Sequence, residues 1–341
     1  MTEPTFRTSI IIPSIRNNAL LLKCVEACLA QGEDVEVLVM SGEDGPSQAG
    51  HPRLRFFNCG PANMSAKRNR GVEASRAPFV AFIDSDAYPA PGWIAHAIRE
   101  LETDPDIAMV GGPELPPDDE TLSERYVGLA SRSVLVTGAH AFRKSISPRR
   151  FFSEVSSCNL IMRRAEYAGA GGMDESLYIG EDNDLCRRVA RTGRKLLFSP
   201  DVVVHHKNRS FVPFLIQRYA RGMATALVIR TFLRDSLRDG RLRPNFRYEL
   251  VLAPGFIVFT LTAVLIPYLP AWALVYVLTW ALFLAAIALE TRKHAESARD
   301  VGGLFATLVC GTLASGIGAF LSMFGLEPDI KKYYRNRNDE A

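Results

Sequence analysis

The chain has 341 residues, 48% of them hydrophobic, and a formal net charge of only +3. So small a surplus excludes the strongly basic surface that nucleic-acid binding rests on, and no nucleic-acid partner is expected. The apolar residues are unevenly spread: charges recur up to Arg247 and Glu249, whereas 250–269, 271–289 and 301–326 hold no Asp, Glu, Lys or Arg at all.

Ser9 to Pro13 is a short apolar run closed by Pro13-Ser14, and Leu20, Leu21, Cys24, Val25 and Cys28 follow at helical spacing, which predicts strand, loop, helix. The first apolar run is only Ile10 to Ile12, so no secretory signal is expected. Val35 to Met40 and Leu54 to Phe57 read as further strands, with a loop at Gly42, Gly45 and Pro46 after the first. Met64 to Ser75 has helical character, and Val80 to Ile83 is a fourth strand that runs into Asp84-Ser85-Asp86. Strands alternating with helices predict an α/β domain with a mostly parallel sheet, and ligands of such sheets sit beyond the carboxyl ends of the strands. Ser14, Glu43, Asp44, Asp84 and Asp86 all fall there.

Gly111 to Phe152, with Pro113, Pro116 and Pro117, shows no clear period, so no element is assigned to it. Beyond it, Ser157 to Arg164 reads as a strand, Gly169 to Tyr178 as a turn and Glu181 to Thr192 as a helix. Leu196 to Ser199 and Val202 to His205 read as strands. Phe211 to Leu233 is amphipathic at helical spacing, with Phe214, Arg218 and Arg221 on one face, as expected of a helix lying on a membrane surface. Six cysteines without a CxxC pair are expected to be reduced thiols.

Two carboxylates one residue apart at a strand's end, Asp84 and Asp86, can hold Mg²⁺ or Mn²⁺ and leave room for diphosphate oxygens. Alone, an Asp-x-Asp is more often a solvated turn; here the buried-looking Phe79 to Ile83 delivers it. Lys67, Arg68 and Asn69 supply cations and an amide upstream that could grip a diphosphate, although an exposed basic helix face has the same composition. Glu181-Asp182-Asn183-Asp184 opens a helix after Gly171-Gly172-Met173-Asp174-Glu175; the helix dipole accounts for one or two of those acids, and a catalytic base accounts for another.

The segments Ser9 to Pro13, Ala66 to Gly71, Val80 to Asp86, Gly171 to Glu175 and Gly180 to Leu185 occur in an order that resembles family 2 glycosyltransferases. The resemblance implies a GT-A fold, a nucleotide-sugar donor and inversion at the anomeric carbon by single displacement. It implies that Asp84 and Asp86 match the metal and diphosphate motif, and that Asp182 matches the general base. The donor side would then draw on Pro13, Ser14, Glu43, Asp44, Lys67, Arg68, Asn69, Asp84, Asn159, Glu181, Arg218 and Arg221. His205 or His206 matches a position that is a metal ligand in some relatives. Met40-Ser41-Gly42-Glu43-Asp44-Gly45 departs from the family's usual Asp-Asp-Gly-Ser, so UDP is only the default donor nucleotide. Gln217 to Met223 resembles the Arg-Trp segment of bacterial cellulose synthase, with Tyr219 where Trp would stand, which puts processive polymerisation in doubt.

The layout is similar to succinoglycan-biosynthesis-type enzymes, with a catalytic domain over 1–208, an interfacial helix and basic linker over 209–248, transmembrane segments within 249–326 and a basic tail over 327–341. Each charge-free run is long enough to span a bilayer. Arg230, Arg234, Arg238, Arg241, Arg243 and Arg247, just ahead of the first run, predict a multi-pass protein of the inner (plasma) membrane whose catalytic domain is cytosolic. Three crossings would export a tail carrying Lys331, Lys332, Arg335 and Arg337, against that tendency, unless the glycine-rich last run is re-entrant. The expected acceptor is a polyprenyl-linked or other lipid-linked saccharide. A catalytically silent nucleotide-sugar-binding scaffold is the competing reading. A transporter is disfavoured because the runs hold no ionisable side chain to line a polar path.

Overall fold

The apolar run near the N-terminus becomes β1 (Thr8–Pro13), buried along its whole length. It pairs in parallel with β2 (Val35–Ser41) on one side and β4 (Phe79–Phe82) on the other. The computed structural model describes residues 6–45, 51–177, 180–223, 226 and 273–326. With β3 (Leu54–Asn58), β6 (Ile107–Gly111), β8 (Arg150–Phe151), β9 (Leu160–Arg163) and β10 (Lys195–Phe198), the strands form one sheet of order β3-β2-β1-β4-β9-β6-β10-β8. The pairs are parallel except those made by β9 and β8.

Helices on both faces explain why the central strands read as continuous apolar runs. Ile10 and Ile12 point into the core under α1 (Ala19–Leu29) and α3 (Trp93–Thr103). Ile11 points the other way, into the core of α2 (Met64–Ala74) and α7 (Glu181–Ala190), where Val72, Leu185, Cys186 and Val189 meet it. Helix α1 starts where Asn18 accepts a hydrogen bond from the Leu21 N–H at 3.0 Å, and it buries Leu21, Cys24, Val25 and Cys28 as their spacing requires. A short helix α6 (Arg164–Gly169) follows β9.

A second sheet of three short strands has β11 (Val204–His206) at its centre, antiparallel to β5 (Ala87–Pro89) and parallel to β7 (Glu114–Leu115). It pins the segment after Asp84-Ser85-Asp86 to the segment that carries the two adjacent histidines. The sequence reading places a strand at 202–205; the structure begins it two residues later. The strand expected at 157–164 likewise begins only at Leu160, because 153–159 is loop.

The described residues up to Pro117 and Ser145–Lys207 form one compact unit; Asp118–Lys144 and the described residues from Asn208 onward form another. In the second, α4 (Leu122–Ser131) opens with a reciprocal capping box between Thr121 and Glu124, and α5 (Val134–Thr137) and a 3-10 turn over Gly138–Lys144 follow. A helix over 211–223 lies against the helix Asp300–Met323 at backbone distance. A Cβ on Gly222 would stand 2.0 Å from the Ser315 carbonyl oxygen, and one on Gly318 2.1 Å from that of Tyr219. The 211–223 helix is thus docked on another helix along the stripe of Phe214, Arg218 and Gly222. The basic linker beyond 226, the first apolar run at 250–269 and the tail at 327–341 lie outside the described residues. Among the described residues one helix, Asp300–Met323, is long and apolar enough to cross a membrane, with mean hydropathy 1.9 and half of that stretch buried. The helix Ala273–His294 exposes Leu274, Val277, Leu278, Leu282 and Leu289 along its length.

Gly112, just after β6, has no room for a side chain: a Cβ there would fall 2.1 Å from the Val202 carbonyl oxygen and 2.5 Å from that of Ser199. Both obstacles are backbone and cannot swing aside. Gly112→Ala is expected to destabilise the first unit by about 1–3 kcal/mol, as overpacking does, read as a lower midpoint in thermal or urea unfolding.

Candidate active site

Helix α2 is capped by Asn63, whose side chain accepts from the Ala66 N–H at 2.9 Å, and this fixes the face on which Lys67 and Arg68 emerge. That face is the sheet, so both cations are buried. The Arg68 guanidinium, 4% exposed, donates from Nη2 to Asp84 Oδ1 at 2.8 Å and from Nη1 to Glu181 Oε1 at 3.2 Å. Burial opposes its charge, and the fields of Asp84, Glu181 and Asp182 more than offset that, so its pKa is raised. Burial is also the main reason the Glu181 carboxyl is raised above the ordinary glutamate range, with repulsion from Asp182 adding to it and Arg68 opposing it.

Helix α7 starts at Gly180, a left-handed residue with φ +80° and no side-chain cap, so its first turn supplies its own acceptors. Asp182 does this: Oδ1 accepts from the Asn183 N–H at 2.8 Å, and Oδ2 accepts from the Ser157 N–H at 3.3 Å. Two backbone amides thereby hold both oxygens of one carboxylate. Arg68 thus joins Asp84 to Glu181, and the charge of the adjacent Asp182 acts on it as well.

Asp84 lies just past the end of β4, and Asp86 follows at the edge of β5, where its Oδ1 is 3.4 Å from His206 Nε2. Neighbouring residues of a strand face opposite sides, and β11 separates the two histidines accordingly. His206 faces the acids, whereas His205 stacks on Tyr88 with ring centres 5.1 Å apart and places Nδ1 3.3 Å from the Pro116 carbonyl oxygen. One ligating atom each from Asp84, Cys158 and His206 lie within 4.8 Å of one another. A carboxylate oxygen, an imidazole nitrogen and a sulfur so disposed are a chemically sound donor set for a divalent cation, which the site therefore fits.

Several residues singled out by sequence are engaged in holding the frame. Lys67 Nζ donates to the Ser14 carbonyl oxygen at 2.6 Å, and burial lowers its pKa. Pro13 and Ser14 sit buried at the end of β1, where the Ser14 N–H donates to the Met40 carbonyl at 3.0 Å. Asn69 donates to the Met173 carbonyl and to Glu175, both at 2.9 Å, and accepts from the Met173 N–H, so it fastens α2 to the Gly171-Gly172 turn. Asn159, 1% exposed, accepts from Trp93 Nε1 at 2.8 Å and donates to the carbonyls of Pro113 and Val202. Glu43 and Asp44 grip Asn17: the Asn17 N–H donates to Glu43 Oε2 at 3.1 Å and its side-chain amide to the Asp44 carbonyl at 2.7 Å. Arg218 and Arg221 belong to the second unit, Arg218 half-buried and Arg221 exposed. Cys158, Asn17 and Trp93 are the site's neighbours that sequence reasoning passed over. The one available signal was the place of Cys158 beside Asn159 at the mouth of a strand.

The family model described as "Glycosyltransferase like family 2" matches residues 4–225. The chain belongs to this family. Over 244 residues it is 30% identical to the pre-mycofactocin glycosyltransferase of Mycobacterium tuberculosis, which covers 67% of this chain and 49% of that protein. It spans about half the length of that curated relative. It is 26% identical over 274 residues to glycosyltransferase AglE of Haloferax volcanii, covering 75% of this chain and 83% of that one. The solved structure of the mannosyltransferase PcManGT from Pyrobaculum calidifontis, in complex with GDP-Man and Mn²⁺, superposes with a TM-score of 0.53 at 17% identity. That match covers 95% of this chain and 90% of the other. The fold of this family 2 member is GT-A-like.

Breaking the Arg68 clasp leaves buried carboxylates without their cation. Arg68→Met is expected to lower stability by as much as about 3–5 kcal/mol, less whatever solvent at the partly exposed Asp84 recovers, as read by urea unfolding. Glu181 gives a pH signature. Its raised value means that the folded protein keeps a proton the unfolded chain has released, so stability falls as pH rises from the ordinary glutamate value through the raised one. Glu181→Gln should flatten that decline in a plot of melting temperature against pH; an unchanged slope would assign the decline to another group.

Proposed function

We propose that this chain is an inverting glycosyltransferase that moves a sugar from a nucleoside-diphosphate donor to an acceptor hydroxyl at a membrane surface. Asp182 is the base of the single displacement. The observation that carries the reading is the Arg68 clasp: it joins the strand end bearing Asp84 to the helix start bearing Glu181 and Asp182, which together would line one cleft. That cleft lies beyond the carboxyl end of β4, where open α/β sheets bind ligands.

Asp84 and His206, with Asp86 beside His206, would hold a divalent cation, Mn²⁺ or Mg²⁺. When bound, the cation neutralises charge that builds on the departing diphosphate. Arg68 is already committed to two carboxylates and acts by fixing them. Asp182 takes the acceptor hydroxyl's proton. The Ser157 and Asn183 amides occupy one lone pair on each of its oxygens and leave the others free to accept, so the carboxylate is oriented without being consumed. Glu43 or Asp44, just past the end of β2, would then face the nucleobase. UDP is the default there, and GDP belongs in any test because PcManGT is bound to GDP-Man.

The membrane reading rests on the apolar helix Asp300–Met323 and on the leucines exposed along Ala273–His294. A lipid-linked saccharide of a cell-surface polysaccharide or glycolipid is the acceptor class that such a surface would present, and the inner membrane, with the catalytic unit cytosolic, is the matching location.

Purified full-length chain incubated with Mn²⁺ and a panel of UDP- and GDP-sugars should release one nucleoside diphosphate, with transfer dependent on added lipid extract. Transfer to a water-soluble acceptor at the same rate without lipid would refute the acceptor class. Asp182→Asn should reduce transfer by about 10²–10⁴-fold, the usual share of a general base, while donor affinity by calorimetry stays within a few-fold. Undiminished turnover of that variant would remove Asp182 from the chemistry.

A further inference from the structure

The donor set at the metal position contains a sulfur. Cys158 is 4% exposed and stands at the entrance to β9, a strand held between β4 and β6, so its place is set by the sheet. Its segment is tied down further: the Cys158 N–H donates to Ser156 Oγ at 3.4 Å, and the preceding Ser157 N–H holds Asp182 at 3.3 Å. The Cys158 sulfur lies within 4.8 Å of a carboxylate oxygen of Asp84 and a ring nitrogen of His206. In the tetrahedral geometry of such sites, bonds of about 2.0–2.3 Å to one shared ion put two ligand atoms about 3.3–3.8 Å apart. Closing from at most 4.8 Å to that separation takes side-chain shifts of up to about an ångström, within the reach of rotation about the Asp84 and His206 side-chain bonds.

We propose that Cys158 is a thiolate ligand of the donor-site metal, and that the centre therefore binds borderline-soft cations such as Zn²⁺ or Co²⁺ more tightly than the Mn²⁺ or Mg²⁺ it also accepts. The inference rests on the metal-assisted reading above and refines it. Hard Mg²⁺ and Mn²⁺ favour carboxylate, carbonyl and water oxygens, while thiolate and imidazole favour the later first-row ions. On binding, the sulfur–metal bond forms and the thiol proton leaves to solvent. The neighbouring thiols do not duplicate the role. The free thiols of Cys24 and Cys28 lie 4.0 Å apart, and Cys24 donates to the backbone carbonyl of Asp84 at 3.7 Å. Cys59 lies in the core next to α2.

The test uses the full-length chain in detergent and Co²⁺ alone as the probe. Equilibrium dialysis measures binding, and near-ultraviolet absorption reads sulfur-to-cobalt charge transfer. The expected result is saturable Co²⁺ binding with a charge-transfer band, displaced by Zn²⁺ at concentrations where Mg²⁺ has no effect. Cys158→Ser should lose the band and bind Co²⁺ about 10–100-fold more weakly, at least the loss seen when a supporting residue of a metal site is changed. Cys59→Ser should keep both. A wild-type protein that binds Co²⁺ without the band, or a Cys158→Ser variant that retains it, overturns the ligand assignment and leaves the metal site standing. Failure of the wild type to bind Co²⁺, Zn²⁺ or Mn²⁺ at all overturns the metal reading and the assignment together.

Discussion

The first unit is organised around one guanidinium that is almost wholly withdrawn from water. An isolated buried cation costs several kcal/mol to desolvate, and only well-placed anions offset that cost. Arg68 has two, supplied by segments 16 and 113 residues away in sequence. The consequence is geometric as much as energetic. The loop leaving β4, the first turn of α7 and helix α2 cannot separate without exposing charge that none of them can satisfy alone. The positions of Asp84, Glu181 and Asp182 relative to one another are therefore fixed by the interior.

The cleft's remaining precision comes from side chains that point away from it. Asn69 spends its amide on the turn at Gly171 and Gly172, both left-handed, and a Cβ on Gly172 would come within 2.8 Å of Asn69 Oδ1. Arg188 reaches back from the body of α7 to Asp184 at 2.8 Å and to the Gly172 carbonyl at 2.6 Å. The glycine pair, Asn69 and Arg188 thus form one assembly that sets where α7 begins, and hence where Asp182 points. Asn159 does the same on the other side. By joining Trp93 to the carbonyls of Pro113 and Val202 it locks the base of the small sheet from which His206 projects.

How far these features were legible in the sequence follows from the range of the interactions behind them. Strands β1, β2 and β4 were readable because burial on both faces leaves an uninterrupted apolar run, and α1 was readable from its spacing. Of the small sheet only β11 was readable, as the run over 202–205; β5 and β7, of three and two residues, have no period, and their partners lie far along the chain. The helix over 122–131 carried a usable signal in Thr121 and Glu124, obscured by the prolines just before it. Lys67, Asn69 and Asn159 were recognisable as important residue types, but composition cannot tell a side chain that faces a ligand from one that fastens a loop. Cys158 escaped because cysteine spacing reveals ligands that are close in sequence, whereas this sulfur meets an aspartate and a histidine from two other segments.

The glycine-rich run near the C-terminus illustrates the same point from the opposite direction. The basic tail beyond it left two readings open, a run that turns back within the membrane or a tail that is an exception to the positive-inside tendency. The run forms one unbroken helix of 24 residues, Asp300–Met323, about 36 Å long at 1.5 Å per residue. A helix of that length is long enough to cross an apolar layer about 30 Å thick. Two of its glycines, Gly311 and Gly318, have a packing explanation. Gly311 meets the Phe214 ring, Gly318 meets the Tyr219 carbonyl, and Ser315 donates from Oγ to the Arg218 carbonyl at 3.1 Å. Small residues on one stripe let two backbones approach, which is how helices associate where the hydrophobic effect offers no drive between them. The segment carrying Arg218 and Arg221 is accordingly held by backbone contact with the most apolar described helix, so what fixes one constrains the other.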